Sequence, residues 1–234
     1  MPLEDDQQDI IKKALANRGL SLADLPENPQ ALDAYLRQQL GISPEAWRRI
    51  PAYEPAAALP PGLDRHEAPY PYGTVNIWTI DTPQGLIVVD TGCTPADLRA
   101  AIGNRTVLAI LITHEHGDHI GGLASGWQQS PVYGIGSAEP PASLGGWDLR
   151  TVSLAGHTPR ARGYILQQGN DTLLFTGDAL FAGSIGKTPG GETPAALDRI
   201  RTALAALPEN AVICPGHGPA TTTGQELKNN PFLA

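Results

Sequence analysis

Cysteine is scarce: Cys93 and Cys214 are the only two in 234 residues. A chain of this length can bury enough apolar surface to need no covalent staples, so free thiols and a cytoplasmic setting are the expectation. Lysine is scarce as well, supplying four of the 16 cationic side chains, and no basic run occurs anywhere. With a net charge of −8, the chain offers neither an electrostatic footprint for nucleic acid nor a polybasic membrane anchor. No apolar stretch approaches the roughly 18 residues that would suggest a membrane span. The opening Met1-Pro2-Leu3-Glu4-Asp5-Asp6 is acidic and lacks the apolar core of a secretory leader. Internal repeats and low-complexity segments are also missing. A small molecule is the expected partner.

The organisation divides in three. Residues 1–50 read as a helical extension. Ile10, Ile11, Ala14 and Leu15 form one helical stripe that stops near Gly19, and Asn28-Pro29 caps a second helix ending at Gly41. Ser43-Pro44-Glu45 opens a short third. These stripes hold too few apolar residues for a core of their own, so they must pack on the rest of the chain or on a second copy, as a homodimer. Residues 51–72 carry six prolines (Pro51, Pro55, Pro60, Pro61, Pro69, Pro71) and read as an extended strap. Tyr53, Tyr70 and Tyr72 in and beside it are candidates for a lid. From residue 73 to 234 strands and helices alternate, giving an α/β class. Strands are expected at 75–80, 86–90, 107–112, 131–135, 149–154, 163–167, 172–176 and 211–214, with helices after Thr94-Pro95 and Thr193-Pro194. The run 107–112 is apolar throughout, as in a strand buried on both faces.

The chemistry begins where that strand ends. His114-Glu115-His116-Gly117-Asp118-His119 packs three imidazoles and two carboxylates into six positions, and two further histidines sit in glycine-flanked turns, Gly156-His157 and Gly216-His217. Imidazole nitrogen and carboxylate oxygen are the usual ligands of divalent metals. Each of these segments follows an expected strand, so the chain ends that α/β folds use for their sites converge here.

These segments, in this order and with Asp90-Thr91-Gly92 and Phe175-Thr176-Gly177-Asp178-Ala179-Leu180-Phe181 between them, resemble the metallo-β-lactamase superfamily. The branch most similar is that of glyoxalase II (hydroxyacylglutathione hydrolase) and its shorter relatives, over about residues 73–222. The resemblance implies a four-layer αββα sandwich with the site at one edge between the sheets. It implies two divalent metals, zinc foremost with iron or manganese as alternatives: His114, His116 and His157 on the first, Asp118, His119 and His217 on the second, Asp178 bridging. Asp118 and Asp178 are thereby also the catalytic carboxylates.

Two cations close together acidify a shared water, so that metal-bound hydroxide is available as nucleophile, and one of them polarises the substrate carbonyl. The sixth histidine, His66, lies in the strap, and none is left over as a general acid. A thiolate leaves without prior protonation because a thiol pKa is about 8.5, whereas an amine or alkoxide needs a delivered proton. A thioester, glutathione-derived by resemblance, is the expected substrate, and a strained lactone the next. Lys187 matches a glutathione-contacting lysine of glyoxalase II, although Thr188-Pro189 stands where an aromatic is usual. Arg160, where relatives carry glycine, is a second candidate for binding a substrate carboxylate. About 17 residues follow His217, where glyoxalase II continues into a helical domain.

A persulfide dioxygenase of the same superfamily would use one iron on His114, His157 and Asp178. Its relatives show Gly-Arg-Thr-Asp where this chain has Gly186-Lys187-Thr188-Pro189. A non-catalytic metal-binding module is the alternative outside enzymes, but degenerate members lose ligands and this chain keeps all seven.

Overall fold

Apolar side chains alternate between two buried faces along most strands, and that alternation dictates the layers. The computed structural model describes residues 2–124, 126–136 and 138–234. Three helices come first: α1 (Gln7–Ala16), α2 (Pro29–Tyr35), which runs on through a π-helical turn at Leu36–Leu40, and α3 (Pro44–Arg49). Then follow β1 (Leu63–Tyr70), β2 (Gly73–Thr82), β3 (Gly85–Val89), α4 (Pro95–Ile102), β4 (Val107–Leu111), the single turn α5 (Gly117–Ile120) and β5 (Val132–Tyr133). The second half holds β6 (Ser143–Leu144), β7 (Trp147–Ser153), β8 (Arg162–Gln168), β9 (Asp171–Gly177), and the small hairpin β10 (Leu180–Phe181) and β11 (Ser184–Ile185). It ends with α6 (Thr193–Ala205), β12 (Val212–Pro215), β13 (Thr221–Thr222) and α7 (Thr223–Asn229).

One sheet runs β1-β2-β3-β4-β5 and the other β13-β12-β9-β8-β7-β6. On β2, Trp78 and Ile80 point between the sheets while Val75 and Ile77 point away, towards Leu98, Ala101 and Ile102 of α4. On β8 and β9, Tyr164, Leu166, Leu173 and Phe175 enter the same inter-sheet core, while Ile165 and Leu174 face the opposite way. With both faces covered, the strands read as continuous apolar runs. The result is the four-layer αββα sandwich.

The outer face of the second sheet is covered jointly by α6 and the N-terminal helices. Ile10, Ile11, Leu15, Leu36, Leu40 and Ile50 share one core cluster with Leu174, Leu180, Leu197 and Ile213. The helical extension therefore buries its apolar stripes against its own chain. α1 begins with a reciprocal Asp6/Asp9 capping box. It is tied to α3 by two bonds, Gln7 Nε2 to the Trp47 carbonyl (2.8 Å) and Trp47 Nε1 to the Gln7 carbonyl (2.9 Å).

The proline-rich strap differs from its sequence reading. Residues 63–70 form β1, paired antiparallel with β2 from Leu63↔Ile80 to Tyr70↔Gly73. β1 is the edge of its sheet, the one place where a strand tolerates a proline such as Pro69. α7 also goes beyond the sequence reading. Its Glu226 is fully buried and accepts hydrogen bonds from Tyr53 Oη (2.7 Å), Thr221 Oγ1 (2.8 Å), Gly183 N (2.9 Å) and Asn230 Nδ2 (2.9 Å). Tyr53 is thus built into a structural network. Among the described residues no helix is long and apolar enough to cross a membrane.

Candidate metal centre

The two sheets present their loops at one edge, and there the expected ligand segments meet. The turn after β4 brings Thr113 and His114, and α5, with His116 at its N-cap, carries Asp118 and His119. The turn after β7 brings His157, the end of β9 brings Asp178, and the turn after β12 brings His217. Three ligand trios result: His114, His116 and His157; His114, His119 and Asp178; Asp118, His119 and His217, with the donor atoms of each within 4.8 Å of one another. All seven expected residues therefore converge.

Asp178, a member of the middle trio, divides its oxygens between the other two. Its Oδ1 is 3.2 Å from His119 Nε2 and 3.4 Å from His217 Nε2, while Oδ2 is 3.6 Å from His157 Nε2. Asp118 Oδ2 stands 3.4 Å from His217 Nε2. Gly216 makes this approach possible, because a Cβ there would sit 2.5 Å from Asp178 Oδ1 and 2.7 Å from His119 Cε1.

Four of the histidines are oriented from outside. His119 Nδ1–H donates to Asp90 Oδ2 (2.8 Å), His217 Nδ1–H to the Thr74 carbonyl (2.7 Å) and His157 Nδ1–H to the Lys187 carbonyl (3.0 Å). His114 Nδ1–H donates to Thr113 Oγ1 (3.1 Å), which in turn donates to Asp90 Oδ2 (2.8 Å). Each bond leaves Nε2 pointing inward as a potential ligand. His114 Nε2, His119 Nε2 and Asp178 Oδ1 are buried with no hydrogen-bond partner. Orphaned buried polar atoms of this type are costly unless something satisfies them, and this set of ligand atoms fits a pair of divalent cations.

The electrostatics agree with that fit. Burial drives His119 and His217 towards neutrality, but the carboxylates win: Asp178 and Asp90 push His119 up to about 10, and Asp118 and Asp178 push His217 up to about 11. Burial opposes ionisation of Asp178 too, yet His119 and His217 hold it well below the ordinary carboxylate range. His114, buried and beside His119, falls to about 2.

A cavity of about 580 Å³ opens over the cluster, lined by His157, Asp178 and His217, by Tyr70, Tyr72 and Phe181, by Lys187, and by Glu4 and one face of α1. Tyr70 stacks on the His217 ring at 5.2 Å and edge-on to Tyr72 at 5.6 Å. Its phenol is pushed up to about 12 by burial and then by the charges of Glu4, Asp118 and Asp178. Arg160 is not among the lining residues; it pairs with Glu115 at 3.0 Å on the exposed rim. His66 lies on β1 against Thr79 Oγ1, 3.0 Å away. The orienting role of Asp90 was not assigned from sequence. The available signal was a carboxylate at the end of an apolar strand, followed by Thr91-Gly92. The backbone at Asp90 is left-handed, with φ +58°, which turns its carboxylate back to Thr113 and His119.

A metal-binding αββα sandwich with paired ligand trios at the sheet edge is the class that fold and site define. The profile of the metallo-beta-lactamase superfamily matches residues 70–155 and 144–217, and the chain belongs to that superfamily. It is 42% identical over 92 residues to hydroxyacylglutathione hydrolase GloC of Haemophilus influenzae, covering 38% of this chain and 42% of that protein. The probable metallo-hydrolase YqgX of Bacillus subtilis is 34% identical over 164 residues, 55% of this chain and 76% of that one. Among solved structures, BLEG-1 B3 metallo-beta-lactamase superposes with a TM-score of 0.60 at 24% identity, covering 74% of this chain and 99% of that one. TTHA1623, crystallised in a di-iron-bound form, gives 0.54 at 28% identity, covering 77% and 100%.

Proposed function

We propose that the protein is a metal-dependent hydrolase that cleaves a thioester of the hydroxyacylglutathione type, with two divalent cations at the cluster. The observation that carries this reading is the division of the Asp178 oxygens, one towards His119 and His217 and the other towards His157. It is the arrangement expected of a bridging carboxylate, and a single-metal site has no use for the Asp118, His119 and His217 trio. When bound, the metals supply Lewis acidity and acidify water towards neutral pH.

The chain's own residues do the rest. His114, His116 and His157 would hold one cation and Asp118, His119 and His217 the other. Asp118 and Asp178 supply the carboxylate oxygens that would accept a hydrogen bond from a water held beside the cations. Lys187 has no ion-pair partner among the described residues and offers its ammonium to a substrate carboxylate. Phe181 and Tyr70 give the cleft its apolar surface. All five clustered histidines are engaged and His66 is turned away, so no histidine is spare to protonate a leaving group. That favours a thiolate over an amine or alkoxide. Two of the most similar relatives fit this substrate class or the broader one, being named a hydroxyacylglutathione hydrolase and a probable metallo-hydrolase.

Elemental analysis of protein purified without added metal, combined with an assay on S-lactoylglutathione, tests the reading. Two metals per chain and turnover are expected. One iron per chain, with oxygen uptake on a persulfide and no thioester hydrolysis, would replace it with a mononuclear dioxygenase.

A further inference from the structure

The clustered histidines are held by different parts of the chain. His119 and His114 lean on Asp90, the latter through Thr113, and His217 leans on the Thr74 carbonyl, all within the segment matched by the superfamily profile. His157 leans instead on the Lys187 carbonyl, 3.0 Å from its Nδ1. That carbonyl belongs to the stretch 185–188 at the exit of the β10–β11 hairpin. A carbonyl orients an imidazole only as firmly as its own backbone is held.

Two side chains from α1 hold this stretch at its ends. Lys13 Nζ donates to the Ile185 carbonyl at 2.6 Å, and Asn17 Oδ1 accepts from Thr188 N at 3.4 Å. The two residues are spaced i, i+4 and so share one face of the helix. The opposite stripe, Ile10, Ile11, Ala14 and Leu15, is packed into the core, so α1 cannot shift without opening that cluster. α1 lies wholly outside the profile match, which begins at residue 70.

Lys13 is committed to this position. It is buried, its ammonium also pairs with Asp5, and Nζ lies 5.3 Å from the centre of the Phe181 ring. A buried ammonium is costly unless its hydrogens are used. Here they go to Asp5, to the Ile185 carbonyl and towards the Phe181 face. The stretch has no slack on its other side. A Cβ on Gly186 would sit 1.8 Å from the Asp178 carbonyl oxygen and 3.2 Å from His157 Nδ1, so its backbone is pressed against two ligand residues. α7 grips the turn of the same hairpin, Glu226 accepting from Gly183 N and Asn230 Nδ2 donating to the Ser184 carbonyl, both at 2.9 Å. The exit of the hairpin is left to α1.

We propose that Lys13 and Asn17 are positioning residues for His157. Through them the N-terminal extension sets the affinity of one metal position, that of His114, His116 and His157, and leaves that of Asp118, His119 and His217 alone. This rests on the two-cation part of the reading above and not on the substrate.

The test is competition for zinc with a chromophoric chelator, on the full chain in two backgrounds. His217→Ala disables the second position and His116→Ala the first. Lys13→Met keeps the unbranched stem but cannot donate to Ile185. It should weaken zinc binding about tenfold in the His217→Ala background, the low end of the loss when a ligand's support is removed. In the His116→Ala background the change should stay within about twofold. Asn17→Leu should act in the same direction as Lys13→Met. Asn17→Asp keeps the acceptor for Thr188 N, and because Asn17 Nδ2 is buried without a partner it gives up no bond; it should bind zinc as the parent background does. This Asn17 pair decides the matter should Lys13→Met, which strands Asp5, fail to fold. Equal weakening in both backgrounds, the mark of a general loss of packing, overturns the proposal. So does unchanged affinity in the His217→Ala background, or an Asn17→Asp no better than Asn17→Leu. A parent protein that binds one zinc, weakened by Lys13→Met, would keep the role of α1 and remove the second cation from the reading above.

Discussion

Asp90 Oδ2 lies 2.8 Å from His119 Nδ1 and also accepts the hydroxyl of Thr113 at 2.8 Å, while Asp90 Oδ1 accepts the Thr113 amide at 2.9 Å. One buried carboxylate thereby orients two of the ligands, His119 directly and His114 through Thr113. Asp90→Asn tolerates the left-handed backbone but removes the charge and one acceptor. Metal affinity should fall about 10- to 100-fold, as measured by competition with a chromophoric chelator. Unchanged affinity would mean that His119 is held in place by packing alone.

Protons and metal compete for the same nitrogens. In the metal-free protein the neighbouring carboxylates raise His119 to about 10 and His217 to about 11, so both are protonated at neutral pH. Both must lose that proton to ligate. Metal loading near pH 8 should therefore release about two protons per chain, and affinity should rise with pH up to the raised values. Calorimetry in buffers of different ionisation enthalpy counts the protons. Release of none would show that the two imidazoles are already neutral.

Gly216 keeps the space between Asp178 and His119 open. A methyl group in Gly216→Ala would stand 2.5 Å from Asp178 Oδ1, so one or both side chains must move. Metal content should drop to about one ion per chain or fewer and activity by about a hundredfold or more, since a displacement of about 1 Å is enough for such losses. Circular dichroism should show the fold intact. Full metal content would place the strain elsewhere.

The ligands were legible in the sequence because metal binding demands particular residue types, and few other arrangements bring His114, His116, Asp118 and His119 so close. The layers were legible in the apolar runs, such as residues 107–112, that two buried faces require. β1 was hidden because prolines argue against a strand everywhere except at an edge, and edge position is a property of the assembled sheet. Asp90 was hidden for a related reason, as its partner His119 is 29 residues away. The polar stripe of α1 carries no motif that marks it as part of a site. Only the tertiary structure turns Lys13 inward and puts Asp9, Lys12 and Ala16 on the cleft.

The N-terminal helices should behave as part of one folding unit. Leu15 is 1% exposed, in the same cluster as Leu174 and Leu197. Leu15→Ala should cost about 2–5 kcal/mol in urea unfolding, within a single transition. A separate early transition for residues 1–50 would show an appended module instead.

The C-terminal helix is held by Glu226, and its charge makes the effect depend on pH. Burial raises this carboxyl above its ordinary 4.5, in spite of the donors from Tyr53, Asn230, Gly183 and Thr221 that favour the ionised form. For a group whose folded value is raised, the linked stabilisation is complete below the unfolded value and is lost as pH rises through the folded one. Glu226→Gln has no proton to exchange and cannot accept all four donors, so it should be less stable than the parent by about 1–3 kcal/mol per bond left unmade. The difference between parent and variant should be largest near pH 4 and shrink towards pH 7, because the parent alone loses stabilisation over that interval. Urea titrations of both proteins across that range check the sign, and the charge common to both cancels in the comparison. A gap that widens with pH would mean that the four donors outweigh burial and that Glu226 is held ionised in the folded protein.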